Sequence, residues 1–467
     1  MSRKMLIISE YIAPVNAIAS IRWSKLSKYL KLDCGYDIDV LTNEKAFDSK
    51  PLFCKHYSTD KTLCSEIEFF SKVYDIPTPI SARFSIALFN LGSSVYSMTK
   101  RAGENNALKE PPDEDGCASG SQRPACLKSL KAKITPLLLN TTSSSMAKAR
   151  LPREIDLDAY DVVLSSYGPH WTHQLAARIK KMHPDVMWIA DYRDLPAFSE
   201  SSNTEQNRLF AKKTTGQADC VFVVDDVMPP LLGLPKEQRV ETVSNGFDPD
   251  ELANRSRKAS DFFNLVYTGM LYDDGAASRD LRPLFKCLSH LISIGVVDRN
   301  RIRIQYAGGT GSVFEEQINA FPDLTWQNYG EISRKAALDM QDQASLLLFS
   351  TWHTKEFPGG ASTGKLFEYF ASGVPIVGMC SGNAINSPCK TMIETARGGV
   401  VYEQANHEKD WSRLLRFVEG RYREWMQTGM TSCQIDQSFI NTFNHRNLAK
   451  KVDSIIASVE TRISGEN

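Results

Sequence analysis

The sequence predicts an α/β fold of two successive units, each a parallel sheet covered by helices, with a cleft between them. The chain opens with an aliphatic run at Lys4–Ser9, a loop, an amphipathic stretch at Ile21–Leu32 and a second apolar run at Asp37–Thr42. That order is typical of a parallel sheet. The alternation restarts at Asn264–Thr268, after the polar stretch Pro249–Asp261. The length of 467 residues also exceeds what one hydrophobic core usually serves.

Short aliphatic runs predict the remaining strands. They are Asp161–Ser165, Val186–Ala190, Cys220–Val224 and Val240–Val243 in the first unit, and Ile302–Ala307, Ala344–Phe349 and Val400–Tyr402 in the second. We expect a first domain at residues 1–250, a second at 262–435, and a C-terminal helix at 436–467 that packs back on the first domain. In such sheets, ligands bind at the carboxyl ends of the strands.

Composition excludes several classes of protein. Lys+Arg and Asp+Glu both number 55, so no global charge favours nucleic acid. Ten cysteines without Cys-x-x-Cys pairs indicate free thiols in a reducing compartment rather than disulfides or a zinc site. The N-terminal apolar run is short for a signal peptide, and no run reaches the roughly 18 residues of a membrane span. We therefore expect a cytoplasmic protein.

One region interrupts the alternation of strands and helices. Residues Gly103–Pro124 are rich in Gly, Pro, Ser and acids, and the segment Cys126–Arg153 carries six basic residues and no acid. These features predict a flexible insertion at about 103–153. The preceding stretch, Ile80–Arg101, has apolar residues at helical spacing. Two interpretations stay open: a core-facing helix with a solvated linker, or peripheral attachment to an anionic membrane surface, the inner face of the plasma membrane.

The stretch Gly359–Val377, GGASTGKLFEYFASGVPIV, predicts a binding site for an anion. Thr363 and Gly364 end a Gly-rich turn that leads into a helix, whose N-terminus offers N–H groups and a positive dipole end. Lys365 adds a charge, and Glu368 can accept hydrogen bonds from hydroxyl groups. This set suits a nucleotide with its phosphate and ribose. The alternative is a packed helix with Lys365 and Glu368 as a solvated pair.

Other candidate groups follow strands of the first unit. Asp191, Arg193 and Asp194 come directly after one strand, and His170 and His173 follow another. Two acids around an arginine can orient an acceptor hydroxyl or assist proton transfer, and they can equally form a structural salt-bridge knot. A loop histidine can face the cleft or simply be solvated.

Several landmarks together resemble one family. They are APVNAIASIRWSKLSKYL, YDVVLSS, ADYRD, SNGFD, LVYTGMLY and GGASTGKLFEYFASGVPIV. The sequence is similar to bacterial family 4 retaining glycosyltransferases. This resemblance implies the GT-B fold, in which two Rossmann-like domains face each other across a cleft. It also implies a nucleotide-sugar donor, linked to UDP or GDP, that is held mainly by the C-terminal domain without a metal or a further cofactor.

The resemblance implies donor-binding roles in the second domain. Glu368 would bind the ribose hydroxyls, and Gly360 stands where relatives carry a glutamate that contacts the donor sugar. Gly269 ends the first strand of this domain, and Arg279 and Lys365 would hold the diphosphate. Met270 stands where relatives carry a further arginine.

In the first domain, the resemblance brings the loop after the first strand close to the donor phosphates. Asn16 lies there in place of a glycine, and Arg22 could contribute a polar contact. Ser166 stands where relatives place a functional histidine, so His170 is the nearest candidate. Asp191 and Asp194 complete the predicted catalytic set, and no metal ligands are predicted.

The function predicted from the sequence is transfer of a sugar from a nucleotide-sugar to a hydroxyl of a glycan or lipid-linked acceptor, with retention. Bacterial members of this family often build capsule or lipopolysaccharide. The alternative is a non-catalytic GT-B partner that supports another transferase. A dehydrogenase is disfavoured because the first loop lacks G-x-G-x-x-G.

Overall fold

A computed structural model describes residues 2–43, 59–88, 137–138, 140–196, 204–253, 255–273, 278–355 and 363–465. Gly360 and most of the predicted insertion, up to residue 136, lie outside these residues. The described chain forms two parallel sheets covered by helices, as the sequence predicts.

The first domain is built on a parallel sheet. Its strands are β1 (Lys4–Ile8), β2 (Asp37–Asn43), β3 (Lys72–Ile76), β4 (Val162–Ser166), β5 (Met187–Tyr192), β6 (Cys220–Val223) and β7 (Val240–Thr242), in the order β3-β2-β1-β4-β5-β6-β7. Its helices are α1 (Ile18–Cys34), α2 (80–88), α3 (140–147), α4 (Trp171–Met182), α5 (Thr204–Thr215) and α6 (Met228–Leu232), followed by α7 (Pro249–Ala253) at the domain boundary.

The second domain repeats the arrangement. Its strands are β8 (Phe263–Thr268), β9 (Ile302–Ala307), β10 (Trp326–Asn328), β11 (Leu346–Trp352), β12 (Ile376–Ser381) and β13 (Gly399–Glu403), in the order β10-β9-β8-β11-β12-β13. Its helices are α8 (Arg282–Ser293), α9 (Gly311–Ile318), α10 (Arg334–Asp342), α11 (Gly364–Ser372), α12 (Pro388–Thr395), α13 (His407–Thr428) and α14 (Gln437–Asn441).

The last helix, α15 (His445–Gly465), returns to the first domain and packs on α1. Leu448, Val452 and Ile456 are buried there with the aliphatic residues of β1 and β2. The return of the chain ties the two domains together at a second place besides α7.

The predicted insertion begins to pack earlier than its predicted boundary at residue 153. Helix α3 buries Met146 in the core of the first domain, and its Ser145 accepts a 2.9 Å hydrogen bond from the Ser81 hydroxyl on α2. The opposite face of α2 leaves Ile80, Phe84 and Leu88 exposed at helical spacing.

No helix among the described residues is long and apolar enough to cross a membrane.

Candidate functional site

Helix α11 begins where the carboxyl ends of the second sheet face the first domain. Its N-cap, Thr363, has an extended backbone, and its Oγ1 is buried without a hydrogen-bond partner among the described residues. Gly364 lies against Ile18 at the start of α1, where a Cβ on residue 364 would come within 2.0 Å of Ile18 Cδ1. The glycine is therefore required for the close approach of the two domains at this helix end.

Lys365 provides a buried charge at the same helix end. The residue as a whole is half-buried, but its Nζ atom is shielded from solvent and has no acceptor among the described residues. Nζ lies 4.0 Å from the centroid of the Tyr267 ring. Burial, with a further contribution from the positive charge of Arg279, holds the pKa of Lys365 well below its usual range. An anion that entered this site would relieve both penalties.

Arg279 lies beside the same site. Its Nη1 donates to the Met270 carbonyl at 2.7 Å, and its Nε is buried without a partner among the described residues. The guanidinium carbon is 4.6 Å from the ring centroid of Tyr272. Gly269, with φ +112°, ends β8 below it, and a Cβ there would lie 2.9 Å from Lys365 Nζ. The structure thus brings together Gly269, Arg279 and Lys365, which the sequence places far apart.

Glu368 lies one turn into α11 and is held by a residue that the sequence did not indicate. Arg334, at the start of α10, donates from Nη1 to Glu368 Oε1 at 2.6 Å and from Nη2 to Glu251 Oε2 at 2.8 Å. These contacts raise the pKa of Arg334 despite its burial. No motif marked Arg334, because its partners lie 34 and 83 positions away in the chain.

Arg22 and Asp191 form a buried ion pair rather than facing the cleft as free groups. Arg22 Nη2 lies 2.8 Å from Asp191 Oδ1, and both side chains are at most 1% exposed. Trp23 Nε1 donates to Asp191 Oδ2 at 2.7 Å, and Arg22 also donates to the carbonyls of Val243 and Ser244. These contacts favour the salt-bridge alternative over a catalytic Asp191, and they give Arg22 a structural role in place of its predicted donor contact.

His170 is the N-cap of α4 and is buried. Its Nδ1 shares a 2.7 Å hydrogen bond with the Tyr167 hydroxyl, and its ring lies 4.4 Å from the ring of Phe210. Burial lowers the pKa of His170 to about 4 and that of the neighbouring His173 to about 3. Both rings are therefore neutral at pH 7, and neither is a solvated loop histidine.

Asp194 and Asn16 both lie in loops of the first domain. The Asp194 side chain is 62% exposed and forms an ion pair with Arg193, which stacks on Tyr11 at 5.5 Å. Asn16 is half-buried in the loop that ends at Ile18, two residues from the contact with Gly364. Asn16 is thus close to the boundary between the domains, whereas Gly360 lies outside the described residues.

A group of three carboxylates could be mistaken for a metal site. In the described part of the chain, Glu66, Asp248 and Glu251 offer oxygens within 4.8 Å of one another. The ammonium of Lys25 lies between them, at 2.6, 2.7 and 2.8 Å respectively. The lysine therefore supplies the positive charge that these acids require.

Comparisons with known proteins give the fold. No family model and no curated protein sequence matches this chain. The chain is similar to an α,α-trehalose-6-phosphate synthase from Burkholderia multivorans, with 9% identity, coverage of 100% of this chain and 98% of that chain, and a TM-score of 0.53. It is also similar to a UDP-forming α,α-trehalose-phosphate synthase from Burkholderia xenovorans, with 12% identity, coverage of 98% and 100%, and a TM-score of 0.52. A third similar structure is a trehalose-6-phosphate synthase studied for glycosyl transfer with retention, with 11% identity, coverage of 97% and 99%, and a TM-score of 0.50.

At these identities the similarity concerns the fold alone. The similarity extends over nearly the full length of both chains, and this chain contributes two parallel sheets covered by helices. The chain therefore has the GT-B fold, two Rossmann-like domains that face each other across a cleft.

Proposed function

We propose that this protein transfers a sugar from a UDP- or GDP-linked donor to a hydroxyl of a glycan or lipid-linked acceptor, with retention. One observation carries the proposal: the buried side-chain nitrogen of Lys365 has no acceptor among the described residues and lies beside Arg279 at the N-terminus of α11. A diphosphate supplies the negative charge that this arrangement lacks.

The other donor contacts follow from the same geometry. Glu368 Oε2 is left for the ribose hydroxyls, because Arg334 uses Oε1. Gly269, without a side chain, leaves room for phosphate oxygens next to Lys365. The donor sugar would then extend toward the first domain, where Asn16, His170 and Asp194 lie.

The reaction begins with departure of the nucleoside diphosphate. The bond between the anomeric carbon and the phosphate oxygen breaks, and Lys365 and Arg279 stabilise the negative charge that develops on that oxygen. The acceptor hydroxyl attacks the same face of the sugar and gives its proton to the departing phosphate, so retention results. Because the two cations supply the positive charge, the proposal requires no metal.

The similar structures support the donor class and the stereochemistry as an analogy. One of them is a UDP-forming synthase, and another was studied for transfer with retention. The proposal that the acceptor belongs to bacterial surface polysaccharide synthesis rests on the resemblance of the sequence motifs.

The proposal that the enzyme is cytoplasmic and attached to the inner face of the membrane is supported by the exposed stripe Ile80, Phe84 and Leu88. Failure of the full chain to float with anionic vesicles would contradict that attachment.

Calorimetry with UDP, GDP and their sugar conjugates tests the donor site. Lys365→Met should abolish diphosphate binding and also raise the melting temperature, because it removes a buried charge without a partner. Glu368→Ala should weaken binding of the nucleoside diphosphates but spare inorganic pyrophosphate. Unchanged binding in both variants would overturn the proposal. Lys335→Met, which changes an exposed residue paired with Asp339, is the control.

A non-catalytic GT-B partner is the second candidate. The observation in its favour is that the oxygens of Asp191 are already used by Arg22 and Trp23. Such a protein would bind a nucleotide-sugar without consuming it. Release of UDP or GDP in the presence of acceptor extract, measured against Lys365→Met, separates the two candidates.

A further inference from the structure

Arg334 occupies a junction between the two domains. Its side chain is only 10% exposed and forks between Glu251 on α7 and Glu368 on α11. Its backbone N–H donates to Asp60 Oδ2 at 2.6 Å. One residue therefore contacts the first domain, the boundary helix and the predicted ribose carboxylate.

The contacts continue from Arg334 into the first domain. Glu251 Oε1 accepts from Lys25 on α1 at 2.8 Å, and Lys25 is also held by Asp248 and Glu66. We call Lys25, Glu251, Arg334 and Glu368 the interdomain ion-pair network. Although burial disfavours its charge, Glu251 has a pKa lowered to about 2 by Arg334 and Lys25, so this carboxylate is ionised at neutral pH.

Asp60 attaches the same junction to the loop that faces the donor site. Its backbone N–H donates to the Pro14 carbonyl at 2.8 Å, and its neighbour Thr59 forms a β-bridge with Val15. Asn16 and Ile18 follow directly in this loop, and Ile18 lies against Gly364. The backbone and the side chain of Arg334 thus reach both walls of the cleft.

We propose that Arg334 is a positioning residue that orients Glu368 for the nucleotide and makes this orientation depend on closure of the two domains. The guanidinium contacts Glu368 and Glu251 together only while α10 and α11 stay close to α7, which Lys25 holds against α1. Separation of the domains would take Glu251 away from the buried Arg334, and the loss of a partner is costly for a buried charged group. The inference rests on the proposed function, since it assigns a role to Arg334 in the same nucleotide site.

Affinities for UDP and GDP, measured by calorimetry on the full chain, test the inference together with small-angle scattering. Arg334→Met should weaken the affinity of the nucleotide that binds by about tenfold or more. Glu368→Gln should also weaken it, and the double variant should be no weaker than the worse single variant, because the two residues act as a unit. Arg334→Lys, which keeps the charge but loses the fork, should fall between the wild type and Arg334→Met.

Two further measurements distinguish a positioning role of Arg334 from a merely structural one: the nucleotide affinity of a Glu251 variant and the compaction of an Arg334 variant. Glu251→Gln, which contacts no predicted ligand atom, should weaken nucleotide affinity, and the compaction on nucleotide binding should be lost in Arg334→Met. Lys335→Met on the same helix is the control and should retain both. If wild type binds neither UDP nor GDP, the proposed function fails. If wild type binds and compacts, and Arg334→Lys and Glu251→Gln do so equally well, the inference about Arg334 is overturned.

Discussion

At the scale of single residues, the partners of each buried charge separate structural groups from candidate ligand-binding groups. Arg22 and Asp191 satisfy each other with the help of Trp23 and two backbone carbonyls. Lys365 has no such acceptor among the described residues. Because burying a charge without a partner is costly, such a group is retained where a ligand completes it. The sequence analysis names all three charged residues as candidates, and only their contacts distinguish them.

Asp191→Asn tests this distinction. The substitution leaves the buried Arg22 without its counter-charge, so we expect the free energy of unfolding to fall by about 3 kcal/mol or more. Nucleotide affinity at a temperature where the variant is folded should stay unchanged. Urea unfolding and calorimetry provide the two measurements. Full stability combined with lost turnover would instead support the catalytic role predicted from the sequence.

At the scale of elements, the start of α11 is shaped by contact between the domains. The helix runs from Gly364 to Ser372 and ends at Gly373 with φ +68°, a conformation that favours glycine. At its other end, Gly364 is required by the side chain of Ile18 rather than by its backbone angle. The sequence predicts Gly364 as part of a turn that binds an anion, whereas the structure shows a contact between the domains that by itself explains the absent side chain.

Gly364→Ala should push α11 away from the first domain. The new Cβ would lie 2.0 Å from Ile18 Cδ1, and such overpacking typically costs about 1–3 kcal/mol. We expect a lower melting temperature and weaker nucleotide binding. Ile18→Ala in the same chain should restore part of both.

Gly420→Ala is the matched control for this substitution. A Cβ at residue 420 of α13 would meet no atom within 4 Å, so alanine should stabilise this helix by about 0.5–1 kcal/mol. Equal melting temperatures of the two alanine variants would contradict the assignment of Gly364 to a domain contact.

At the scale of the whole molecule, buried histidines connect stability to pH. Burial lowers the pKa of His170 to about 4 and those of His173 and His445 to about 3. Their ordinary value is near 6.5, so between these values the unfolded chain binds more protons than the folded chain. This contribution to stability is fully present above pH 6.5 and is lost as the pH falls.

We therefore expect acid sensitivity that begins near pH 6.5. Each buried histidine can lower the free energy of unfolding by up to about 1.4 kcal/mol per pH unit. Urea unfolding at pH 7, 6 and 5 measures how steeply the free energy of unfolding falls with pH. His445→Gln should reduce this slope by the contribution of one histidine. A stability that stays constant from pH 7 to pH 5 would contradict the prediction.

Much of the architecture could be predicted because apolar periodicity is a local property. The predicted runs correspond to strands such as β1, β8 and β9 within a residue or two. The short strands β3 and β10 were not predicted, because they lie at sheet edges and are more polar than the central strands. The proposal that Lys365 and Glu368 bind a ligand also comes from a local motif, a Gly-rich turn before a helix, and it stays a prediction.

The sequence by itself determined the two α/β units and the stretch that holds the candidate anion site. The tertiary structure alone decided which charges have partners: Asp191 pairs with Arg22, Lys25 lies among three carboxylates, and Arg334 holds Glu368. The physical reason is that ion pairing depends on distances of about 3 Å between groups that are far apart in the chain. Hydrophobic periodicity carries no information about those distances, whereas it predicts most of the strands.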